Sequence, residues 1–280
     1  MAEGPLGTYV YCVMGSETGR SLEGLPGVDA GSGIRAIRHA GMTALASAVP
    51  LTEFGAEPLK RNLNDLAWIE RTARAHQRVL DRALREATIV PLRLCTVFAD
   101  DASVTAMLER EHDALAGALA RLAGRQEWAV KLIADPQGTR DAGRRRAEQG
   151  PDTTPAGEAS QSGRAYVDRL RRDRAARSDA QRLTRAAARE IHQGLAAQAV
   201  AVRVLPKPSR ELSDDGGELV LNGAYLVDAE HLVEFRAAAT ELADRHRASG
   251  VRLEITGPWP PYSFVAEATD ERRQSRTGVR

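Results

Sequence analysis

The residues best suited to do chemistry in this chain are its six histidines and two cysteines, and their spacing builds no local site. His39, His76, His112, His192, His231 and His246 include no His-x-x-x-His pair, the spacing that sets two metal ligands on one helical face. His76 falls on an apolar helical stripe, where a satisfied, half-buried imidazole is a simpler reading than a base. Cys12 and Cys95 sit in apolar runs, YVYCVM and VPLRLCTVF, where a thiol behaves as a small hydrophobe. Neither a thiolate zinc set nor a disulfide is expected of them. Gly15–Ser21, GSETGRS, has the outline of a phosphate-binding loop. It is one residue short between its glycines and offers Arg20 where that loop needs lysine, so it reads as a solvated loop. Asp100-Asp101 suits a helix start, where negative charge meets the dipole, and Asp214-Asp215 a Gly-rich turn. No nucleophile elbow, dinucleotide fingerprint or EF-hand loop occurs. The expectation is no catalytic residue, no metal, no cofactor, and a protein that is not an enzyme.

The remaining polar feature is a helix over 164–198 dominated by Arg and Ala. Nine arginines fall between residues 164 and 189, against Asp168, Asp173 and Asp179, with Arg144-Arg145-Arg146 just upstream. Such a patch suits nucleic-acid phosphates. The competing reading is a solvated face in which pairs such as Asp168/Arg172 and Asp173/Arg177 meet at i,i+4. The second is favoured, because the patch lacks interleaved aromatics and any reading motif. With 39 basic and 38 acidic residues the chain is near balance, so no global field steers it toward nucleic acid or anionic lipid. A start of MAEGPLGTY lacks the regions of a signal peptide, and no apolar run is long enough to span a bilayer. A cytoplasmic protein is expected.

The elements that must position these residues read as α+β. Tyr9–Met14, Ile34–His39 and Met42–Val49 are strand candidates, the last two joined at Ala40-Gly41. A helix capped by Asn62 or Asn64 runs to Glu86 with Leu63, Leu66, Ile69, Ala73, His76, Leu80 and Leu84 on one face. Ile89–Phe98 reads as a strand entered through Pro91, Asp100–Leu122 as one helix stopped by Gly124, and Glu127–Ala134 as the final strand of the first sheet. Asp135–Gly163 has no apolar periodicity and reads as a linker. Beyond the arginine helix come a strand at Ala199–Leu205, a strand or hairpin within Leu212–Asp228, a helix to Ser249 and a strand at Val251–Thr256. The expected domains are therefore 1–135, a flexible insertion at 136–163, a second domain at 164–264 and a charged tail at 265–280.

Gly257-Pro258-Trp259-Pro260-Pro261-Tyr262-Ser263-Phe264 is the most informative stretch. Three prolines withhold N–H groups, so the segment is not expected to continue a helix or lie in a sheet. Three aromatics crowd into eight residues of a chain with 4% aromatics, and they need a surface to receive them. That surface is either the protein's own, making the segment a latch, or a partner's. The latch is favoured, because the aromatics would be costly to leave in water, and it is expected to close the second domain.

GPWPPYSF resembles the C-terminal signature of the gas vesicle protein F/L family (GvpF/GvpL). Further matches follow in the family's order. They are the opening strand at Tyr9–Val13, VPLRLCTVF at Val90–Phe98, GRQEWAVK at Gly124–Lys131, SGRAYV at Ser162–Val167 and LNGAYLV at Leu221–Val227. Leu94-Cys95 stand where phenylalanine and glycine are common, and nothing is carried over to Asp135–Gly163 or the tail. The resemblance implies two α+β domains, the second ferredoxin-like. It also implies an accessory or minor structural role in nucleating or assembling gas vesicles. The implied partners are the small, very hydrophobic main shell protein and other gas vesicle accessory proteins, with no membrane and with nucleic acid disfavoured. A shell subunit with an exposed apolar face aggregates unless something covers it. The signature residues Gly257, Pro258, Trp259, Pro260, Pro261, Tyr262 and Phe264 are then either latch or partner surface. A nucleic-acid-binding protein using the helix at 164–198 stays as the alternative.

Overall fold

The apolar run from Leu6 to Gly15 forms strand β1, buried along nearly its whole length because both of its faces are covered. It belongs to a computed structural model that describes residues 4–15, 20–148, 163–207 and 217–265. The chain divides into unit 1, Met1–Gln126 with Trp259–Arg280, and unit 2, Glu127–Pro258. It is α+β, with two antiparallel sheets.

In unit 1, β2 (Arg35–His39) and β3 (Met42–Pro50) form the expected hairpin. Ala40 and Gly41 both have positive φ, 47° and 77°, the two left-handed residues that a tight hairpin turn needs. Sheet order is β2-β3-β1-β4, with β4 at Val90–Pro91 and β5 (Val97–Phe98) also on β1. The single strand expected over Ile89–Phe98 is thus two short ones. Pro91 has no N–H to extend a ladder, and Thr96 turns back to bond the Arg93 carbonyl through both N and Oγ1.

The helices α1 (Leu51–Phe54) and α2 (Ala56–Asn62) occupy a stretch for which no element was expected. The long helix α3 starts later than expected, at Leu66, and runs to Glu86. Its cap is Asp65, not Asn62 or Asn64, and the Asp65 carboxylate accepts from the N–H groups of Ala67 and Trp68 at 3.0 and 3.2 Å. Asp65→Ala should therefore destabilise unit 1 by about 1 kcal/mol, read as a lowered urea midpoint. Trp68, Thr72, Ala75, His76, Val79, Leu80 and Ala83 make its buried stripe. The helix expected after Asp100 is two, α4 (Asp101–Arg110) and α5 (His112–Leu122), broken where Glu111 leaves helical geometry. Asp100 caps α4 through the Ser103 N–H at 2.7 Å. Asp101 instead ion-pairs with Arg35 at 2.6 Å and accepts from Thr8, tying α4 to β2 and β1.

Unit 2 holds β6 (Arg125–Ala134), α6 (Pro136–Glu148), α7 (Gly163–Ala196), β7 (Ala201–Val204), β8 (Glu218–Asp228), α8 (Leu232–His246) and β9 (Val251–Trp259). Its sheet order is β7-β8-β6-β9. Three sequence expectations are corrected here. β6 is an interior strand of this second sheet, so the boundary falls before Glu127 and not after residue 135. A strand's own pattern does not say which sheet it joins. Residues 136–148 are helical, where a linker was expected. This helix meets α7 through small side chains, with Ala142 and Ala180 buried. A Cβ on Gly143 would lie 2.4 Å from the Ala176 carbonyl oxygen. β8 is one strand running through Asn222-Gly223, with no hairpin there.

The core of unit 2 joins Trp128, Val130 and Leu132 of β6 to Ile191 and Leu195 of α7, Tyr225 of β8 and Phe235 of α8. Only the C-terminal half of α7 faces it, since Leu170 is exposed. The expectations placed on 149–162, on Asp214-Asp215 and on the tail from 266 lie outside the described residues, as do residues 16–19 of the glycine loop and the side chain of Tyr166.

Candidate functional site

The proline-aromatic segment does what its prolines were expected to forbid: β9 runs through Gly257, Pro258 and Trp259. β9 ends the sheet order, and a missing N–H is tolerated on the open side of an edge strand. The chain then passes from unit 2 into unit 1, where Pro260 and Pro261 are buried and Tyr262–Val265 forms the short helix α9. The expectation that this segment closes the second domain is corrected. Residues from Trp259 onward belong to unit 1, where α9 packs on β4. Phe264 is 7% exposed, whereas Trp259 keeps 44% of its surface in solvent.

The Tyr262 hydroxyl reaches the buried His76 of α3. His76 Nε2 lies 2.9 Å from it, and His76 Nδ1 lies 2.9 Å from the Tyr9 hydroxyl. Tyr262 donates to the Leu92 carbonyl at 3.2 Å, and Tyr9 accepts from the Cys95 N–H at 2.9 Å. One assignment of hydrogens satisfies every group. Cys95 N–H donates to Tyr9, Tyr9 to Nδ1, Nε2–H to Tyr262, and Tyr262 to Leu92, with the imidazole neutral. The positions follow from local structure. Tyr9 and Tyr11 share one face of β1 by the two-residue strand period, and His76 lies on the buried stripe of α3. Their rings surround the imidazole, with Tyr9 at 5.7 Å and Tyr11 at 5.5 Å between centroids. Tyr11 is itself tied to Ser47 at 2.8 Å and to the Val28 N–H at 2.8 Å.

Burial sets the electrostatics of this cluster. It lowers the His76 pKa to about 4 and raises Tyr262 to about 12 and Cys95 to about 11. Tyr9, Tyr11 and Cys12 are pushed up by the same desolvation. At neutral pH every member is uncharged, which suits a structural tie. Both cysteines are free thiols. Among the described residues no group of three or more His, Cys, Asp or Glu side chains could hold a metal ion. No helix there is long and apolar enough to cross a membrane.

The sequence singled out Tyr262, Phe264 and His76 separately, and the structure brings Tyr262 to His76. It adds Tyr9, Leu92 and Cys95, which sequence reasoning did not assign to the site. The one available signal was a polar His76 on an otherwise apolar stripe. The arginine helix goes elsewhere. Among its described residues Arg182 pairs with Asp179, and no ion pair joins Asp173 to Arg177.

Comparison with known proteins accounts for the architecture. The family described as gas vesicle synthesis protein GvpL/GvpF matches residues 7–266. The chain is 37% identical to gas vesicle protein L of Streptomyces sp. (strain CB03234) over 273 residues, 97% of each chain. It is 27% identical to gas vesicle protein F of the same organism, over 93% of this chain and 100% of that one. The crystal structure of GvpF from Anabaena sp. PCC7120 superposes with a TM-score of 0.64 at 19% identity, covering 93% of this chain and 96% of that one. This likeness shows a shared fold. The family is a non-enzymatic, gas vesicle structural one. A match running from β1 through α9, at more than a third identity to one full-length relative, leaves one assignment: the chain belongs to the GvpL/GvpF family of gas vesicle proteins.

Proposed function

We propose that this protein is an accessory or minor structural component of gas vesicles that binds the hydrophobic main shell protein and assists nucleation or assembly of the wall. It works in the cytoplasm, alongside other gas vesicle accessory proteins and without a cofactor. The observation that carries the reading is the state of Trp259. The family-signature segment holds a large aromatic 44% exposed, on a backbone fixed by the buried Pro260 and Pro261 next to it. A rigid, half-exposed tryptophan loses little conformational freedom on binding, and such residues dominate interface energetics. Pro260, Pro261, Tyr262 and Phe264 then act as a clasp on unit 1 that presents Trp259 to the partner. Leu63 at the end of α2 and Leu66 at the start of α3, 46% and 78% exposed, supply further apolar surface on the same unit. For unit 2, the element order β6-α6-α7-β7-β8-α8-β9 with sheet order β7-β8-β6-β9 supports a ferredoxin-like arrangement to which α6 is an addition.

The test is capture of purified shell protein by the full chain. Trp259→Ala should weaken capture by about 30-fold, the effect of losing a hot spot worth about 2 kcal/mol, with the melting temperature unchanged. Equal capture by the variant and the parent protein would end the assignment of Trp259 to the interface.

A further inference from the structure

A groove of about 730 Å3 runs along α7 in unit 2, between that helix, α6 and the first residues of β8. Its charged lining is one-sided. Arg140 of α6, Arg177, Arg185 and Arg189 of α7, and Lys207 beyond β7 face it, against Glu218 alone. None of these five cations has an ion-pair partner among the described residues. Elsewhere in the same unit arginines are matched, as Arg245 is to Glu190 and Glu241, and Arg247 to Asp244. The floor between the cations is small and apolar, made by Ala134, Ala180, Ala188 and Val220. Arg185 and Arg189 also border an adjoining depression of about 490 Å3 that contains Arg146 and Arg182.

We infer that this groove is a docking site for an acidic segment of a partner protein, one that alternates carboxylates with small apolar side chains. Three features select that occupant. Arg177 and Arg189 stand twelve residues apart on one helix, so the cations are spread over roughly 18 Å and do not converge on a single point. That suits a row of carboxylates, each met by a guanidinium fork, better than one phosphate group. No aromatic side chain lines the groove, so nucleic-acid bases have no platform on which to stack. The alanine and valine floor takes small apolar groups between the acids. The site lies wholly within unit 2, and the inference stands apart from the shell-protein reading, which concerns Trp259 and unit 1.

The test uses the full-length protein and a fluorescein-labelled peptide of twelve residues alternating Glu and Ala, followed by anisotropy. Three further probes are the matching Lys-Ala peptide, a single-stranded oligothymidylate of twelve nucleotides and inorganic tripolyphosphate. The Glu-Ala peptide should bind and the Lys-Ala peptide should not. Raising the salt from 50 to 300 mM should weaken binding at least about fivefold, since the contacts are exposed to screening. Arg177→Glu/Arg185→Glu/Arg189→Glu should weaken it more than tenfold. Arg78→Glu/Arg82→Glu/Arg85→Glu, an equal charge change on the exposed side of α3 in unit 1, should leave it unchanged. Equal loss in both triple variants would reduce the effect to net charge and overturn the site. So would absence of peptide binding, or tighter binding of oligothymidylate or tripolyphosphate than of the peptide. A variant that loses shell-protein capture while keeping peptide affinity separates this site from the one proposed above.

Discussion

Phe264→Ala should destabilise unit 1 by about 3–4 kcal/mol and leave unit 2 as it is. Removing a buried phenylalanine side chain forfeits its transfer free energy and leaves a cavity, with costs of this size typical for such truncations. The side chain is 7% exposed on a helix of four residues, too short to hold its place without that anchor. Detachment of α9 would also withdraw the Tyr262 hydroxyl from His76 and from the Leu92 carbonyl. Amide exchange followed peptide by peptide is the appropriate measurement. Protection should fall in β1, α3 and β4, while β6 and β8 keep theirs. Loss confined to β6 and β8 would show that the segment closes the second unit after all.

A second large effect is expected on acidification. His76 is held neutral, with a folded pKa of about 4 against an ordinary value of 6.5. Between those two values the unfolded chain takes up a proton that the folded chain refuses, so stability falls as the pH drops below 6.5. The loss reaches about 2–3 kcal/mol near pH 4.5, levels off below pH 4, and is absent above pH 7. The groups facing the imidazole are Tyr9 and Tyr11 from β1 and Tyr262 from α9, with Cys95 bonding Tyr9 from the turn after β4. All are pushed upward and stay neutral throughout this window. The comparison is the urea midpoint of the parent protein and of His76→Gln, at pH 7.5 and pH 4.5. Gln lacks the titration, so the variant should be the less stable at pH 7.5 and lose most of that deficit at pH 4.5. Parallel declines in the two proteins would assign the acid sensitivity to carboxylates such as Asp101 and not to the histidine.

The parts of this fold legible in the sequence are those decided by neighbouring residues. The β2–β3 hairpin follows from alternating strands around Ala40-Gly41, and apolar spacing announces α3 and its end at Glu86. Of the face expected for that helix only His76 and Leu80 are buried, since Trp68, Thr72, Ala75, Val79 and Ala83 turn inward in place of Leu63, Leu66, Ile69, Ala73 and Leu84. What was not legible is decided by distant partners. Nothing in RQEWAVKLIA says that β6 pairs in the second sheet, because its alternation fits any sheet that offers an apolar layer. α6 hides from periodicity because it meets α7 through Gly143, Ala142 and Ala180, residues too small to mark an apolar stripe. The hydrogen bond between His76 and Tyr262 joins positions 186 apart, and local pattern carries no trace of it. The family signature identified the chain from a motif while misplacing where that motif docks, since motifs preserve local order and say little about the element they pack against.

The return of the chain to unit 1 at Trp259 has a consequence for how the protein is made. Unit 2 is an insertion within a discontinuous partner, so during synthesis residues 127–258 can complete their sheet while unit 1 still waits for its closing helix. The first strand to leave the ribosome carries Tyr9, one hydroxyl partner of His76, and the other, Tyr262, is translated some 250 residues later. A nascent chain stopped before that point carries a finished second unit and an open first one. Fragments for binding work should follow this connectivity, with 127–258 as one piece and 1–126 rejoined to 259–265 as the other, because a single cut near residue 135 parts the second sheet from β6 and unit 1 from α9.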